Sequence, residues 1–212
     1  MFIFLSAINE VEQILKANDN VKCSDITITA PNSNSKDIFS SILNVNIPDS
    51  LLQIYTTETE ALKFSWIAEP DVFGPDCSRG NISLLSPNQV KSQLEDQREQ
   101  AQEAKENGLI DDEGYAVLAE DWPHWLPVFS FPSGDCFCLD MREDECPVVF
   151  LEHDVMDAGP NLHGLRIAPN LESLIALWRQ ILFVDLFDWT QGVNESGIDI
   201  DSRIFKPFFQ IT

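Results

Sequence analysis

The sequence predicts a single α+β domain over residues 1–212, with a mainly antiparallel central sheet flanked by helices toward the N- and C-terminal ends. Helix-like periodicity occurs near the start and the finish of the chain, and strand-like alternation lies between them. The strand-like segments are short and joined by tight polar connections, which is typical of an antiparallel meander. At 212 residues the chain can bury a sizeable hydrophobic core.

The N-terminal part predicts a helix–strand extension ahead of the main domain. Residues 6–17 place apolar side chains at helical spacing, and residues 25–29 alternate like a strand. A short helix is expected over residues 36–43. Another is expected after Pro48, since the first turn of a helix tolerates proline.

The middle of the chain predicts two strands and a long polar helix. The strands are expected over residues 61–68 and 81–85. The helix opens at residues 86–88 and ends near Asn107-Gly108, a pair that terminates helices well. Most of this helix is expected to be solvated. Its buried stripe is expected to consist of Val90, Leu94 and Ala101.

The last third predicts the rest of the meander and a closing helix. Short apolar segments over residues 126–129, 136–140 and 148–151 are the expected strands. Residues 170–184 carry a broad apolar face and are expected to form a core helix. The tail from Asp185 onward is aromatic and acidic.

Negative charge is the outlying property of the composition. Thirteen Lys and Arg residues stand against 35 Asp and Glu residues, which gives a formal net charge of −22. Such a field repels the phosphate backbone and argues against direct nucleic-acid binding. Two interpretations stay open: the charge only keeps the protein in solution, or it attracts a basic partner.

Hydropathy and cysteine content predict the cellular compartment of the protein. No run approaches the roughly 18 apolar residues that a membrane-spanning helix needs, and the apolar start lacks the basic segment and cleavage site of a signal peptide. Five cysteines are an odd number, which favours free thiols in a reducing compartment. We therefore expect a cytoplasmic protein that does not bind membranes.

The acidic residues concentrate in residues 93–121. Ten acidic and two basic residues give this stretch a formal charge of −8. It is either a solvated helical face or a docking ridge for a basic protein, with tryptophans at its edge as aromatic anchors. The predicted partner-binding residues are Glu95, Asp96, Glu99, Glu103, Asp111, Asp112, Glu113, Glu120, Asp121, Trp122 and Trp125.

Candidate metal ligands are present but lack a recognisable spacing. Paired CxxC knuckles are absent, and buried packing is the commoner role of cysteine. We therefore expect no metal and no other cofactor. The candidate ligands are Cys136, Cys138, Cys146 and His153.

Catalytic motifs are also missing from the sequence. It contains no Gly-rich phosphate loop, nucleophile elbow or zinc-protease helix. His153 beside Asp154 could support acid–base chemistry, but neighbours on a strand point to opposite faces. Asp135 lies in a Gly-Asp turn, where an Asp side chain can bond the neighbouring backbone, so a structural role explains its presence. The sequence therefore predicts a protein that is not an enzyme.

Taken in order, these segments resemble the SUKH superfamily, which includes the yeast regulator of cell-wall glucan assembly. The resemblance spans about residues 47–184 and leaves a long acidic helical insertion at about residues 87–121. The Asn-Gly pair usual after the family's first segment is replaced by residues 56–60. The segments that carry the resemblance are residues 47–55, 80–86, 125–129, 133–140, 147–154 and 168–175.

The resemblance implies a function as well as a fold. The family is mostly bacterial and lacks catalytic residues, and many members are cytoplasmic immunity proteins that neutralise a toxin domain, often a nuclease. An acidic inhibitor can occupy the basic surface with which a nuclease grips phosphate. We therefore expect an immunity protein that occludes a basic toxin domain. The alternatives are a scaffold or regulatory adaptor of the same fold and a metal-dependent or hydrolytic enzyme using Asp135, His153 and Asp154.

Overall fold

A computed structural model describes residues 4–42, 47–111, 113–154 and 161–210. The predicted α+β class is confirmed, because one large sheet is antiparallel at every described pairing and helices pack against it. Within the described residues, no helix combines the length and the apolar character needed to cross a membrane.

The N-terminal elements add a helix to the main core and two short strands to one edge of the sheet. The first helix buries Phe4, Ile8, Val11 and Leu15, whose spacing of three or four residues puts them on one face. Leu43, predicted to end the second helix, lies outside the described residues. The elements are α1 (Phe4–Lys16), β1 (Val21–Cys23), β2 (Thr27–Thr29), α2 (Ser35–Ile42) and α3 (Asp49–Gln53), which runs into a π-helical turn (Ile54–Glu58).

The central sheet is a meander whose first inner strand pairs with two short strands on the same edge. The predicted bounds of three strands, residues 61–68, 136–140 and 148–151, match the observed bounds residue for residue. The strands are β3 (Ala61–Ala68), β4 (Arg79–Leu84), β5 (Trp125–Ser130), β6 (Cys136–Asp140), β7 (Val148–Leu151) and β8 (Arg166–Ala168), and they follow β1 in the order β1-β3-β4-β5-β6-β7-β8. The strands β1 and β8 were not predicted.

The connection between β4 and β5 forms a helical hairpin of α5 (Pro87–Glu106) and α6 (Glu113–Asp121). A capping box fixes the start of α5: the Gln89 amide donates to Ser86 Oγ, and Gln89 Oε1 accepts from the Ser86 amide. The predicted buried stripe is confirmed, and Gln97 and Ala104 extend it. Helix α6 was not predicted.

The two faces of the sheet pack against different partners. Along β6, Phe137 and Leu139 join the main core, whereas Cys136 and Cys138 join a smaller apolar cluster. Because alternate residues of a strand point to opposite faces, the two clusters lie on opposite sides of the sheet. The smaller cluster includes Trp122, at the end of the hairpin. The hairpin therefore covers part of the second face.

The closing helix α7 (Leu171–Trp178) is shorter than predicted. A 3-10 turn (Arg179–Ile181) follows it, and Leu182 then takes a left-handed conformation with φ of 55°. The predicted end at residue 184 was wrong because tertiary contacts redirect the chain. The Trp66 indole donates to the Leu182 carbonyl at 2.6 Å, a contact that no local pattern encodes. The remaining elements are α4 (Pro70–Phe73), β9 (Val193–Asn194), β10 (Gly197–Ile198) and a 3-10 helix (Arg203–Gln210).

Candidate functional site

An acidic stripe runs along the exposed face of α5. At about 100° per residue, its five carboxylates fall within an arc of roughly 100°, and the buried side chains of the helix lie roughly opposite. All five residues are exposed, so the stripe is accessible to solvent and to a partner alike. The residues of the stripe are Glu95, Asp96, Glu99, Glu103 and Glu106.

Few cations neutralise the stripe. Among the described residues its one ion pair joins Lys91 Nζ and Glu95 Oε1 at 3.9 Å, and both side chains are largely exposed. Arg98 lies on another face of the helix and donates from Nε to the Pro123 carbonyl at 3.2 Å. Arg98 thus ties α5 to the end of the hairpin and forms no ion pair with the carboxylates of the stripe among the described residues.

The structure buries both tryptophans that were predicted as anchors. Trp125 is 2% exposed and Trp122 is 7% exposed, and both belong to the apolar cluster beneath the hairpin. The Trp125 indole donates to Asp140 Oδ2 at 3.0 Å, which accounts for its polar atom. These side chains hold the hairpin onto the sheet and are not available to a partner in this conformation.

The predicted acidic residues that follow α5 differ in their exposure to solvent. Glu120 is exposed, whereas Asp121 is half-buried. Asp112 and the side chains of Asp111 and Glu113 lie outside the described residues. The accessible part of the predicted ridge is therefore the stripe on α5 together with Glu120.

Asp121 forms part of a structural ion-pair network around Arg142. The Arg142 guanidinium contacts Asp121 Oδ1 at 2.9 Å and Asp140 Oδ2 at 2.5 Å. Burial raises the pKa of each carboxyl. The Arg142 guanidinium and the nearby His163 imidazole lower the pKa of Asp121, and hydrogen bonds from Arg142 and Trp125 lower the pKa of Asp140, so both pKa values lie below the usual range. The network fastens the end of α6 to β6.

The candidate metal ligands are not brought together. Cys136 and Cys138 lie in the smaller cluster, whereas Cys146 belongs to the main core. Burial raises the pKa of Cys136 to about 12, so its thiol stays protonated at neutral pH. Within the described part of the chain, no group of three or more His, Cys, Asp or Glu side chains is arranged to hold a metal ion.

His153 pairs with Asp135, eighteen residues earlier in the chain. Asp135 Oδ1 lies 2.9 Å from His153 Nδ1 and also accepts the His153 amide at 2.9 Å. Gly134, with φ of 102°, lets the imidazole approach, since a Cβ there would lie 3.1 Å from His153 Cγ. The Ser133 hydroxyl donates to Asp135 Oδ2 at 2.6 Å.

This pair borders a cleft of about 160 Å³, here named the Asp185 cleft. It lies between the β5–β6 turn, the end of β7, the start of β4 and the segment after α7. Asp185 is 7% exposed. Burial raises the pKa of its carboxyl to about 6, against the opposing effect of Arg79. The polar residues lining the cleft are Arg79, Ser133, Asp135, Glu152, His153, Asp154 and Asp185.

Neither Asp185 nor Arg79 was predicted as a site residue. One signal was present, because Asp185 directly follows the apolar run Leu182-Phe183-Val184. A carboxylate at the end of a buried run is placed near the core, where its pKa is easily perturbed. The partner Arg79 lies more than one hundred residues away, and no local pattern points to it.

Sequence and structure comparisons add no relative. Comparison of the chain with protein-family models, with curated proteins and with solved structures gave no match. The SUKH resemblance therefore stays a prediction from the segments of the sequence that carry it.

Proposed function

We propose that this chain is a non-enzymatic binding protein that docks a basic protein against the acidic stripe of α5. The SUKH resemblance further suggests that the partner is a basic, nuclease-like toxin domain, which the chain neutralises by occlusion. The observation that carries the proposal is the set of five exposed carboxylates on one helical face, with one described ion pair among them.

The proposed partner is a toxin domain with a basic, nuclease-like surface, and the proposed mode of inhibition is stoichiometric occlusion of that surface. A nuclease must present cations where it grips phosphate, so a competing row of carboxylates addresses the same surface. Exposed ion pairs contribute only about 0–1 kcal/mol each, so the stripe acts through the sum of its charges and through faster encounter.

The stripe is also held in place before binding. The capping box fixes one end of α5, and Val90, Leu94 and Ala101 fix its inner face. A rigid helix loses little conformational entropy when a partner docks. This preorganisation supports a docking role better than a loose acidic tail would.

The direct test is binding and protection with the toxin-like protein encoded beside this chain. Co-expression should protect cells from that toxin, and the purified proteins should form a one-to-one complex that weakens as salt rises. Absence of both the complex and the protection would refute the toxin proposal. A signalling enzyme recovered as the partner would instead favour the scaffold or adaptor alternative.

Charge-neutral variants locate the surface. The variant E95Q/D96N/E99Q/E103Q should weaken the complex by about tenfold or more, mainly through slower association. The matched control D19N/D76N/E195Q/D201N removes the same number of exposed carboxylates from scattered positions. An equal loss in both variants would mean that net charge, and not the stripe, governs binding.

One observation favours a second candidate, a hydrolytic enzyme. The Asp135 carboxylate contacts Nδ1 of His153, which leaves Nε2 to take a proton. However, the Ser133 hydroxyl donates to Asp135 and not to His153, so these residues do not form an activated serine. Hydrolysis of ester or phosphoester substrates by the purified protein, abolished in His153→Ala, would support this candidate.

A further inference from the structure

We propose that the Asp185 cleft binds the cationic end of a lysine or arginine side chain presented by another polypeptide. This site is separate from the acidic stripe, so the inference goes beyond the function proposed above. It rests on the charge of the cleft, on the burial of the Asp185 carboxylate beside a poorly aligned cation, and on the size and apolar lining of the cavity.

The charge of the cleft selects a cation. Four carboxylates line it, from Asp135, Glu152, Asp154 and Asp185, and Arg79 is the one guanidinium among the lining residues. With a neutral His153 imidazole, the lining keeps a formal charge of −3. An anionic ligand would be repelled from this cavity.

Asp185 supplies an observation independent of the charge count. Its side chain is only 9% exposed, yet no described residue donates a hydrogen bond to its carboxylate. Among the described residues its one cation contact is Arg79 Nε, which lies 3.3 Å from Oδ2 and donates its hydrogen bond to the Asp185 backbone carbonyl at 3.4 Å. A buried carboxylate beside one poorly aligned cation is only partly compensated for its lost hydration, and an incoming ammonium or guanidinium would provide further donors.

The cavity fits the end of a side chain. Its volume of about 160 Å³ lies below the roughly 300 Å³ at which small-molecule sites begin. Phe131 and Leu186 are buried in its wall and offer apolar surface to a methylene stem. Phe187 also lines the cleft and is 76% exposed, so its ring is available for a cation–π contact.

Small monovalent probes test the cleft without engaging the whole stripe. Two-dimensional amide NMR would follow titrations with the N-methylamides of Nα-acetyl-lysine, Nα-acetyl-arginine and Nα-acetyl-norleucine, the last having a similar stem without charge. The two cations should give saturable shifts at Asp135, His153 and Asp185. Equal shifts with the norleucine probe, or none with either cation, would overturn the proposal.

Matched variants separate this site from other acidic surface. Asp185→Asn should weaken binding of the cationic probes by about tenfold, while Glu195→Gln and Asp19→Asn, at exposed positions elsewhere, should leave binding unchanged. Phe187→Ala removes a side chain that is 76% exposed, so it should fold normally and still weaken binding severalfold. Unchanged binding in both cleft variants would refute the site.

A free polyamine carries the same kind of ammonium group as a lysine side chain and is the other ligand to test. Spermidine titrated under the same conditions should bind the cleft no more than about tenfold more tightly than the lysine probe. Tighter binding, lost in Asp185→Asn, would assign the cleft to a free polyamine and overturn the polypeptide proposal. Failure of the cleft experiments would leave the docking experiments on the stripe unaffected, since they use different variants.

Discussion

The carboxylate of Asp135 lies 2.9 Å from Nδ1 of His153, a residue eighteen positions further along the chain. The two come together because β6 and β7 pair with Cys136 opposite Leu151, which brings the residues just outside the two strands into contact. The pair closes one side of the Asp185 cleft and fixes the orientation of the imidazole.

Gly134 should be required for this arrangement. Gly134→Ala forces a Cβ to within 3.1 Å of His153 Cγ at a φ of 102°, so we expect a loss of about 1–3 kcal/mol in the free energy of unfolding. Urea denaturation would measure it. Gly108→Ala is the control, since φ is 68° there but nothing lies within 4 Å of the added Cβ. Equal losses in the two variants would show that His153 does not constrain the site.

Arg142 should stabilise the hairpin in a pH-dependent way. Arg142→Leu leaves Asp121 and Asp140 without their cation, and we expect a loss of about 1–3 kcal/mol at neutral pH. Both carboxyls have lowered pKa values in the folded state, so their contribution is present above the unfolded pKa and fades as pH falls through the folded pKa. The difference between variant and wild type should therefore shrink toward pH 3.

A matched control for Arg142 exists on the surface. The pair of Arg179 and Glu10, at 3.2 Å, is about half exposed on both sides. Arg179→Leu should change the free energy of unfolding by less than about 1 kcal/mol. If Arg142→Leu behaved the same way, the network would have no special role in holding α6.

Asp185 should destabilise the folded protein as it ionises. Its folded pKa of about 6 lies above the ordinary value of 3.8, so the folded state binds more protons between these values and stability falls as pH rises through them. Asp185→Asn should therefore raise the melting temperature at pH 7.5 and change it little at pH 4. Calorimetry at both pH values measures this, and a lower melting temperature at pH 7.5 would contradict it.

The five thiols should differ in reactivity. Cys23 is partly exposed, whereas the other four cysteines are buried, and burial raises the pKa of every one of them. We expect one thiol to react with a disulfide reagent in the native protein at pH 8, and the rest only after unfolding. Cys23→Ser should abolish the native reaction. A native reaction of two or more thiols would contradict the packing.

Local periodicity was sufficient for several elements of the fold. The strand-like segment 61–68 gave the bounds of β3, short apolar segments gave those of β6 and β7, and helical spacing gave the buried stripe of α5. These features could be predicted because each depends on residues within a few positions of one another. The stripe of carboxylates on α5 was predictable for the same reason.

The tertiary structure decided the rest of the site. It buried Trp122 and Trp125 beneath the hairpin, paired Asp135 with His153, and placed Arg79 against Asp185. Sequence periodicity shows which face of an element is apolar, but it does not show which other element covers that face. Pairings across a sheet depend on strand order and register, so the acidic stripe could be read from the chain, whereas the Asp185 cleft required the fold.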